Sequence, residues 1–164
     1  MQRVGAALAE RAVAAPDPSE ADVFGRSAFN RYYYATYLIT REMLRQLDAS
    51  WFRKSHKEIP QLLKEQVVKR VRTVSRTAQQ QGLINNADSL CYSVTAAASG
   101  LADMIKSAYE LRCVADYEPE TRILRTGKLI KLVDHSIDEA RNWPRRASAH
   151  SGVILGTWRR LGLC

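Results

Sequence analysis

The chain of 164 residues contains few of the residues that usually build metal or nucleophile sites. It has three cysteines without a CxxC pair and three scattered histidines, so we predict no metal site and no other cofactor. It also lacks a glycine-rich phosphate loop and a GxSxG nucleophile elbow. An odd number of unpatterned cysteines is typical of a reducing compartment, and we therefore expect a cytoplasmic protein.

Long apolar runs and strand-like patterns are missing as well. The longest apolar runs are only a few residues, which is too short to span a bilayer. Glu10 and Arg11 interrupt the N-terminal apolar patch, so an amphipathic first helix is favoured over a secretory signal. We expect no association with a membrane. No convincing alternation with a period of two indicates a strand, and no internal repeat is visible.

Basic residues, in contrast, are in excess and are concentrated in two segments. The formal net charge is +8. Residues 53–76 contain eight Lys or Arg against two Glu, and residues 141–164 contain five Arg and no acidic residue. This distribution indicates a polyanion or an acidic protein as a partner. Basic side chains that only solvate exposed faces would give the same pattern, and this alternative remains open.

Helical periodicity predicts an all-α bundle with two long central helices, at residues 1–143, followed by a basic tail at residues 144–164. The helices are predicted at residues 1–14, 20–47, about 59–81, about 86–117 and roughly 126–142. Asp17 or Ser19 is expected to cap the second helix and Gly82 to end the third. The last helix is expected to end before Pro144, and the tail to be partly ordered or to dock on a partner.

The third predicted helix has one basic side. Lys69, Arg72 and Arg76 recur at i, i+3 and i+7, opposite to the apolar stripe that contains Val67 and Val71. Three cations on one helix face are suited to contact successive phosphates of a nucleic acid. We therefore predict this face as the nucleic-acid-binding site.

Arg112 falls on the apolar stripe of the fourth predicted helix. At 100° per residue it lies with Leu101, Ile105 and Ala108. Asp116 lies one turn later on the same face and can pair with the guanidinium. The pair is either a structural ion pair that fixes the end of the helix or part of a functional site.

Three segments give the chain a family resemblance. They are SAFNRYYYATYLITREML at residues 27–44, SHKEIPQLL at residues 55–63 and YELRCVADYEP at residues 109–119. They resemble the signature segments of the HEPN superfamily, in particular the small bacterial HEPN proteins found beside nucleotidyltransferases. The resemblance covers residues 20–142. It implies a four- to five-helix up-and-down bundle, a homodimer, and a role in a toxin–antitoxin or antiphage defence system, with a nucleotidyltransferase-type or other defence protein as partner.

Many members of this family are metal-independent ribonucleases whose motif is an arginine followed a few residues later by a histidine. This chain matches the arginine as Arg112, but Tyr117, Glu118 and Pro119 stand where the histidine is expected. RNA cleavage needs an acid and a base that titrate near neutrality, as histidine does unaided. The missing histidine therefore favours a dimerising module that binds RNA, a nucleotide or a partner protein through Arg112, Asp116 and Tyr117.

Two other functions remain open, and the sequence does not decide whether the chain is an enzyme. One is an endoribonuclease toxin or effector with a non-standard site of Arg112, Asp116 and Tyr117. His56, which stands where the family often has a histidine, or a second chain would complete this site. The other is a structural subunit of a larger complex, in which the basic helix docks on an acidic protein.

Two features are weaker candidates. Arg145 and His150 have the literal spacing of the family motif, but they follow Pro144 and lie outside the matched segment. The tyrosines at residues 32–34 could stack on bases, although their position on an apolar helix favours a place in the core.

Overall fold

The structure is a computed structural model that describes residues 1–163, and this part of the chain is mostly helical. The helices are α1 (Gln2–Ala14), α2 (Pro18–Leu47), a 3-10 helix (Ala49–Arg53), α3 (Ile59–Leu62), a π-helix (Leu63–Val67), α4 (Val68–Gln80), α5 (Ala87–Tyr117) and α6 (Ile137–Arg160). The strands are β1 (Leu124–Thr126), β2 (Leu129–Leu132) and β3 (His135–Ser136), which form an antiparallel sheet in the order β1-β2-β3. The last residue of the predicted tail, Cys164, lies outside the described residues.

The ends of two helices follow the predicted local signals. The side chain of Asp17 accepts a hydrogen bond from the Glu20 amide at 2.9 Å, and Pro18 begins α2, as expected for a capping residue followed by proline. Gly82 follows α4 with a φ of +71°, and the Leu83 amide donates to the Ala78 carbonyl at 2.9 Å. Only glycine adopts this backbone conformation without strain, so Gly82 ends the helix as predicted.

The helix predicted over residues 126–142 is wrong in its first half. Residues 124–136 form the sheet, in which Leu124 faces Lys131 and Thr126 faces Leu129. Gly127 makes the β1–β2 turn with a φ of +59°. Ile130 and Leu132 point inward and are fully buried, which is the period-two pattern of a strand. The short apolar run at residues 129–132 is compatible with both a helix and a strand. The turn at Gly127 favours the strand.

The prediction that the last helix ends before Pro144 is also wrong. Pro144 lies inside α6, which continues to Arg160. Proline removes one amide donor from a helix, and the buried face of α6 compensates for this loss. The side chains of Ile154 and Trp158 are fully buried, so most of the predicted tail belongs to a packed helix. The division into a bundle at residues 1–143 and a tail stays a prediction, although α6 runs through its boundary.

The chain divides into two compact units. The first comprises Met1–Leu38 and Ser107–Arg145, and the second comprises Ile39–Lys106 and the described residues from Arg146 onward. The largest fully buried side chains of the first unit are Phe29, Tyr32, Tyr33, Ile130 and Leu132. Those of the second are Met43, Leu44, Ile59, Leu63, Leu101, Ile105 and Trp158. Among the described residues, no helix has the length and hydropathy that a bilayer crossing requires.

Candidate functional site

Arg112 and Asp116 form the ion pair that their spacing predicts. Both lie near the end of α5 in the first unit, and Arg112 Nη2 is 2.7 Å from Asp116 Oδ2. The side chains are only 17% and 24% exposed. The guanidinium is thus partly withdrawn from water, where a charged hydrogen bond is stronger than at an open surface.

Aromatic rings surround the guanidinium of Arg112. Its central carbon lies 5.2 Å from the ring centre of Tyr117 and 5.9 Å from that of Tyr34, within the range of cation–π attraction. Behind Tyr34, the buried ring of Tyr33 contacts Tyr34, Tyr37 and Tyr109. Tyr117 is the most accessible of these rings, since it is 69% exposed. The expectation that the tyrosines at residues 32–34 pack in the core holds for Tyr32 and Tyr33, whereas Tyr34 is half-buried beside the site.

Asn30 of α2 holds the second oxygen of the Asp116 carboxylate. Its Nδ2 donates a hydrogen bond to Asp116 Oδ1, so each carboxylate oxygen has its own donor. Two polar atoms at the site, Arg112 Nε and Asn30 Oδ1, are buried without a hydrogen-bond partner among residues 1–163. Such atoms cost stability.

The surroundings raise the pKa values of Arg112, Tyr33 and Tyr109. Burial alone would lower the pKa of Arg112, but the Tyr117 phenol and the Asp116 carboxylate outweigh burial and raise the pKa. Burial also raises the pKa of Tyr33, with Tyr37 and Tyr34 adding to the effect. Interaction with Cys113 raises the pKa of Tyr109. Arg112 is therefore a permanent cation that can hold an anion, and it cannot serve as a base.

Arg26, to which the sequence analysis assigns no role, caps the end of α5. Its Nη2 donates to the carbonyls of Val114 and Glu118 at 3.0 and 3.1 Å, and its Nε to that of Ala115 at 2.9 Å. Its Nη1 donates to the Thr121 carbonyl at 2.6 Å. The last carbonyls of a helix lack intrahelical partners, and a cation there also complements the helix dipole. Arg26 and Asn30 are distant from residue 116 in sequence, so no local signal reveals their contacts.

The three histidines occupy separate places. His135 of β3 lies in the first unit, with Nδ1 3.1 Å from Glu139 Oε1. His56 stands in the turn that precedes α3, and His150 lies in α6, both in the second unit. The His150 ring lies against Gly100, where an added Cβ would come within 3.0 Å of it. The participation of His56 in the Arg112 site stays a prediction.

The predicted basic face of α4 lies in the second unit. Lys69, Arg72 and Arg76 are exposed, and none of them forms an ion pair or hydrogen bond with another of residues 1–163. They line a shallow groove of about 570 Å³ whose apolar lining includes Val68. The three cations are thus available to a ligand without first losing an internal partner. We refer to these three side chains as the basic stripe.

Other cations near the basic stripe are already engaged. Lys64 Nζ lies 2.6 Å from Asp103 Oδ1, and Arg70 Nη1 lies 3.2 Å from Asp48 Oδ2. The Arg70 guanidinium also faces the Trp158 ring at 5.3 Å. The positive charge that remains free on α4 is therefore concentrated on the stripe, which a count of basic residues in the sequence cannot show.

Comparison with known proteins identifies no relative of this chain. No family model, no curated protein and no solved structure matches the chain. The three HEPN-like segments lie within α2, from the turn before α3 into the π-helix, and across the end of α5.

Proposed function

We propose that this chain is an RNA-binding module of HEPN type that binds without cleaving. The observation that carries the proposal is the basic stripe of Lys69, Arg72 and Arg76, which is exposed and forms no ion pair within residues 1–163. Cations that contact phosphates release the counterions of a nucleic acid, and this release drives binding. An already paired cation, such as Arg70, would gain less because it must first give up its carboxylate.

The spacing of the basic stripe fits one nucleic-acid strand. At 1.5 Å rise per residue, Lys69 and Arg72 are separated by about 4.5 Å along the axis of α4, and Arg72 and Arg76 by about 6 Å. Long cationic side chains can adjust these separations by several ångströms, so three successive phosphates of one strand are within reach. The proposed contact is therefore with the backbone and carries no sequence specificity.

Arg112, Asp116 and Tyr117 form the proposed second contact, to RNA, a nucleotide or a partner protein. Two features support binding. The guanidinium is a permanent cation, and the accessible Tyr117 ring can stack on a base. A carboxylate and phenols ordinarily titrate far from neutrality. A ribonuclease would therefore need an additional group, such as His56 or a residue from a second chain.

The resemblance extends this proposal to the assembly. We propose a four- to five-helix up-and-down bundle that forms a homodimer and works in a toxin–antitoxin or antiphage defence system. The order of the three HEPN-like segments and their places in α2, before α3 and at the end of α5 support this assignment. A nucleotidyltransferase-type or other defence protein is the proposed partner. Light scattering on the purified chain would test the dimer, because a monomer at micromolar concentration contradicts it.

The experiment that tests the function measures both binding and cleavage of labelled single-stranded RNA. A variant with Lys69, Arg72 and Arg76 changed to Ala should bind about tenfold more weakly or worse, because three phosphate contacts are lost. No RNA should be cleaved by the unmutated chain. Cleavage that disappears in Arg112→Ala would establish the ribonuclease instead. Absence of both binding and cleavage would leave the structural subunit.

A matched control separates the basic stripe from net charge. The second unit carries three other exposed cations that do not share one helix face: Arg53, Lys57 and Arg160. Changing these three to Ala alters the net charge by the same amount. This control should retain most of the RNA affinity, and an equal loss in both triple variants would contradict a defined contact on α4.

A further inference from the structure

One face of α2 is polar where it meets the end of α5, within the first unit. Asp22, Arg26 and Asn30 recur at i, i+4 and i+8 and therefore lie on the same side of the helix. Asp22 accepts a hydrogen bond from the Ile123 amide at 2.7 Å, and Asn30 donates to Asp116. Arg26 stands between them and holds the carbonyls at the end of α5.

Arg26 has the largest share of these contacts. Its side chain donates four hydrogen bonds, to the carbonyls of Val114, Ala115, Glu118 and Thr121. A guanidinium has five N–H donors in a planar fork, so nearly all of its capacity is used on the last turn of α5 and on the residues that follow it. No other side chain type offers so many donors in this geometry.

We propose that Arg26 is a positioning residue for the Arg112 site. The Arg112–Asp116 pair depends on helical geometry, since residues four apart meet only while the turn between them stays helical. Val114 and Ala115 lie within this turn, so Arg26 fixes the backbone that carries both members of the pair. Arg26 itself does not touch the ligand. The inference rests on the proposed function only where ligand binding is concerned.

The first test needs no ligand. Amide hydrogen exchange at Asp116, Tyr117 and Glu118 should become about tenfold faster or more in Arg26→Ala, because the last turn opens locally. Exchange in α4 should stay unchanged. Arg26→Lys keeps the charge but cannot reach four carbonyls, so it should restore little protection. Arg31→Ala is the matched control, because Arg31 is exposed on α2 and its guanidinium makes only a 4.0 Å approach to the sulfur of Met1 among residues 1–163.

The second test measures the mobility of the Arg112 side chain in the ion pair. The Arg112 guanidinium should rotate slowly on the NMR timescale in the unmutated chain and in Arg31→Ala. In Arg26→Ala it should rotate freely while the circular dichroism of the chain is retained. Slow rotation and unchanged exchange in Arg26→Ala would overturn the inference, as would faster exchange that leaves the rotation of Arg112 slow.

The third test uses RNA affinity in a double-mutant cycle. Arg26→Ala and Arg112→Ala should be non-additive, since both disable the same site, whereas Arg26→Ala and the triple variant of the basic stripe should be additive. Additive losses in the first cycle would overturn the positioning role. If the unmutated chain binds no RNA, the proposed function fails, and the exchange and rotation measurements still decide the role of Arg26.

Discussion

Arg112 Nη2 lies 2.7 Å from Asp116 Oδ2, with both side chains largely shielded from water at the end of α5. Shielding makes each charge dependent on the other, because an ionised group that loses its partner in a poorly solvated place is costly. A substitution that breaks this pair should therefore both disrupt the candidate site and lower the stability of the first unit.

Asp116→Asn should therefore destabilise the chain. Because the substitution keeps the shape but removes the charge opposite Arg112, we expect a loss of about 1–2 kcal/mol, between the values for exposed and fully buried pairs. Urea unfolding at neutral pH measures this loss. Asp138→Asn is the matched control, since its pair with Arg141 is 3.5 Å long and exposed, and it should cost about 0.5 kcal/mol or less. Equal losses in both variants would contradict the account.

The stability of the chain should fall in mild acid because of His150. Burial, and to a smaller extent the charge of Arg146, lower the pKa of His150 in the folded chain. The unfolded chain, in which histidine titrates near 6.5, then binds the proton more readily. Stability is complete above about pH 6.5 and is lost progressively as the pH falls towards the lower folded pKa.

The variant that checks this pH dependence is His150→Asn. Thermal unfolding between pH 7.5 and 5 should show a smaller decrease of the melting temperature in the variant than in the unmutated chain. His56 and His135 remain in both proteins, so the difference isolates His150. Superimposable pH profiles would show that the burial of His150 does not cause the loss of stability in acid.

Replacing Gly25 by alanine should destabilise the chain, whereas replacing Gly152 should not. A Cβ at position 25 would lie 2.9 Å from Ile123 Cγ1, whereas a Cβ at position 152 would meet no atom within 4 Å among residues 1–163 apart from its chain neighbours and the backbone of its own helix. Both glycines lie inside helices, where alanine is intrinsically favoured. We expect Gly25→Ala to cost about 1–3 kcal/mol through overpacking and Gly152→Ala to add up to about 1 kcal/mol. Chemical denaturation of both variants measures the difference, and a stabilising Gly25→Ala would contradict the packing described for Ile123.

Local signals predict much of the fold and part of the site. The Asp17 cap, the Gly82 end and the Arg112–Asp116 pair each depend on residues within a few positions of one another, so the sequence alone indicates them. The sheet and the continuation of α6 past Pro144 depend on packing, which overrides the helix-breaking tendency of proline. Periodicity therefore predicts the helical class and misses these two elements.

The part of the site that sequence reasoning misses is its support. Arg26 contacts residues 88 to 95 positions away, and Asn30 contacts Asp116 86 positions away. Such contacts leave no periodic or motif signal in a single sequence. Which cations near α4 are already paired also depends on tertiary structure. The carboxylates that pair with Lys64 and Arg70 come from other elements, so the sequence does not show that these two cations are engaged.

The salt dependence of RNA binding tests the central claim most directly, since it counts the phosphates that α4 is proposed to contact. With three contacts to a single strand, the logarithm of the association constant should fall with the logarithm of salt concentration with a slope contribution of about −2. The triple Ala variant of Lys69, Arg72 and Arg76 should show a slope shallower by this amount, while the Arg53, Lys57 and Arg160 variant retains the original slope. Parallel slopes for the unmutated chain and the basic-stripe variant would contradict the account.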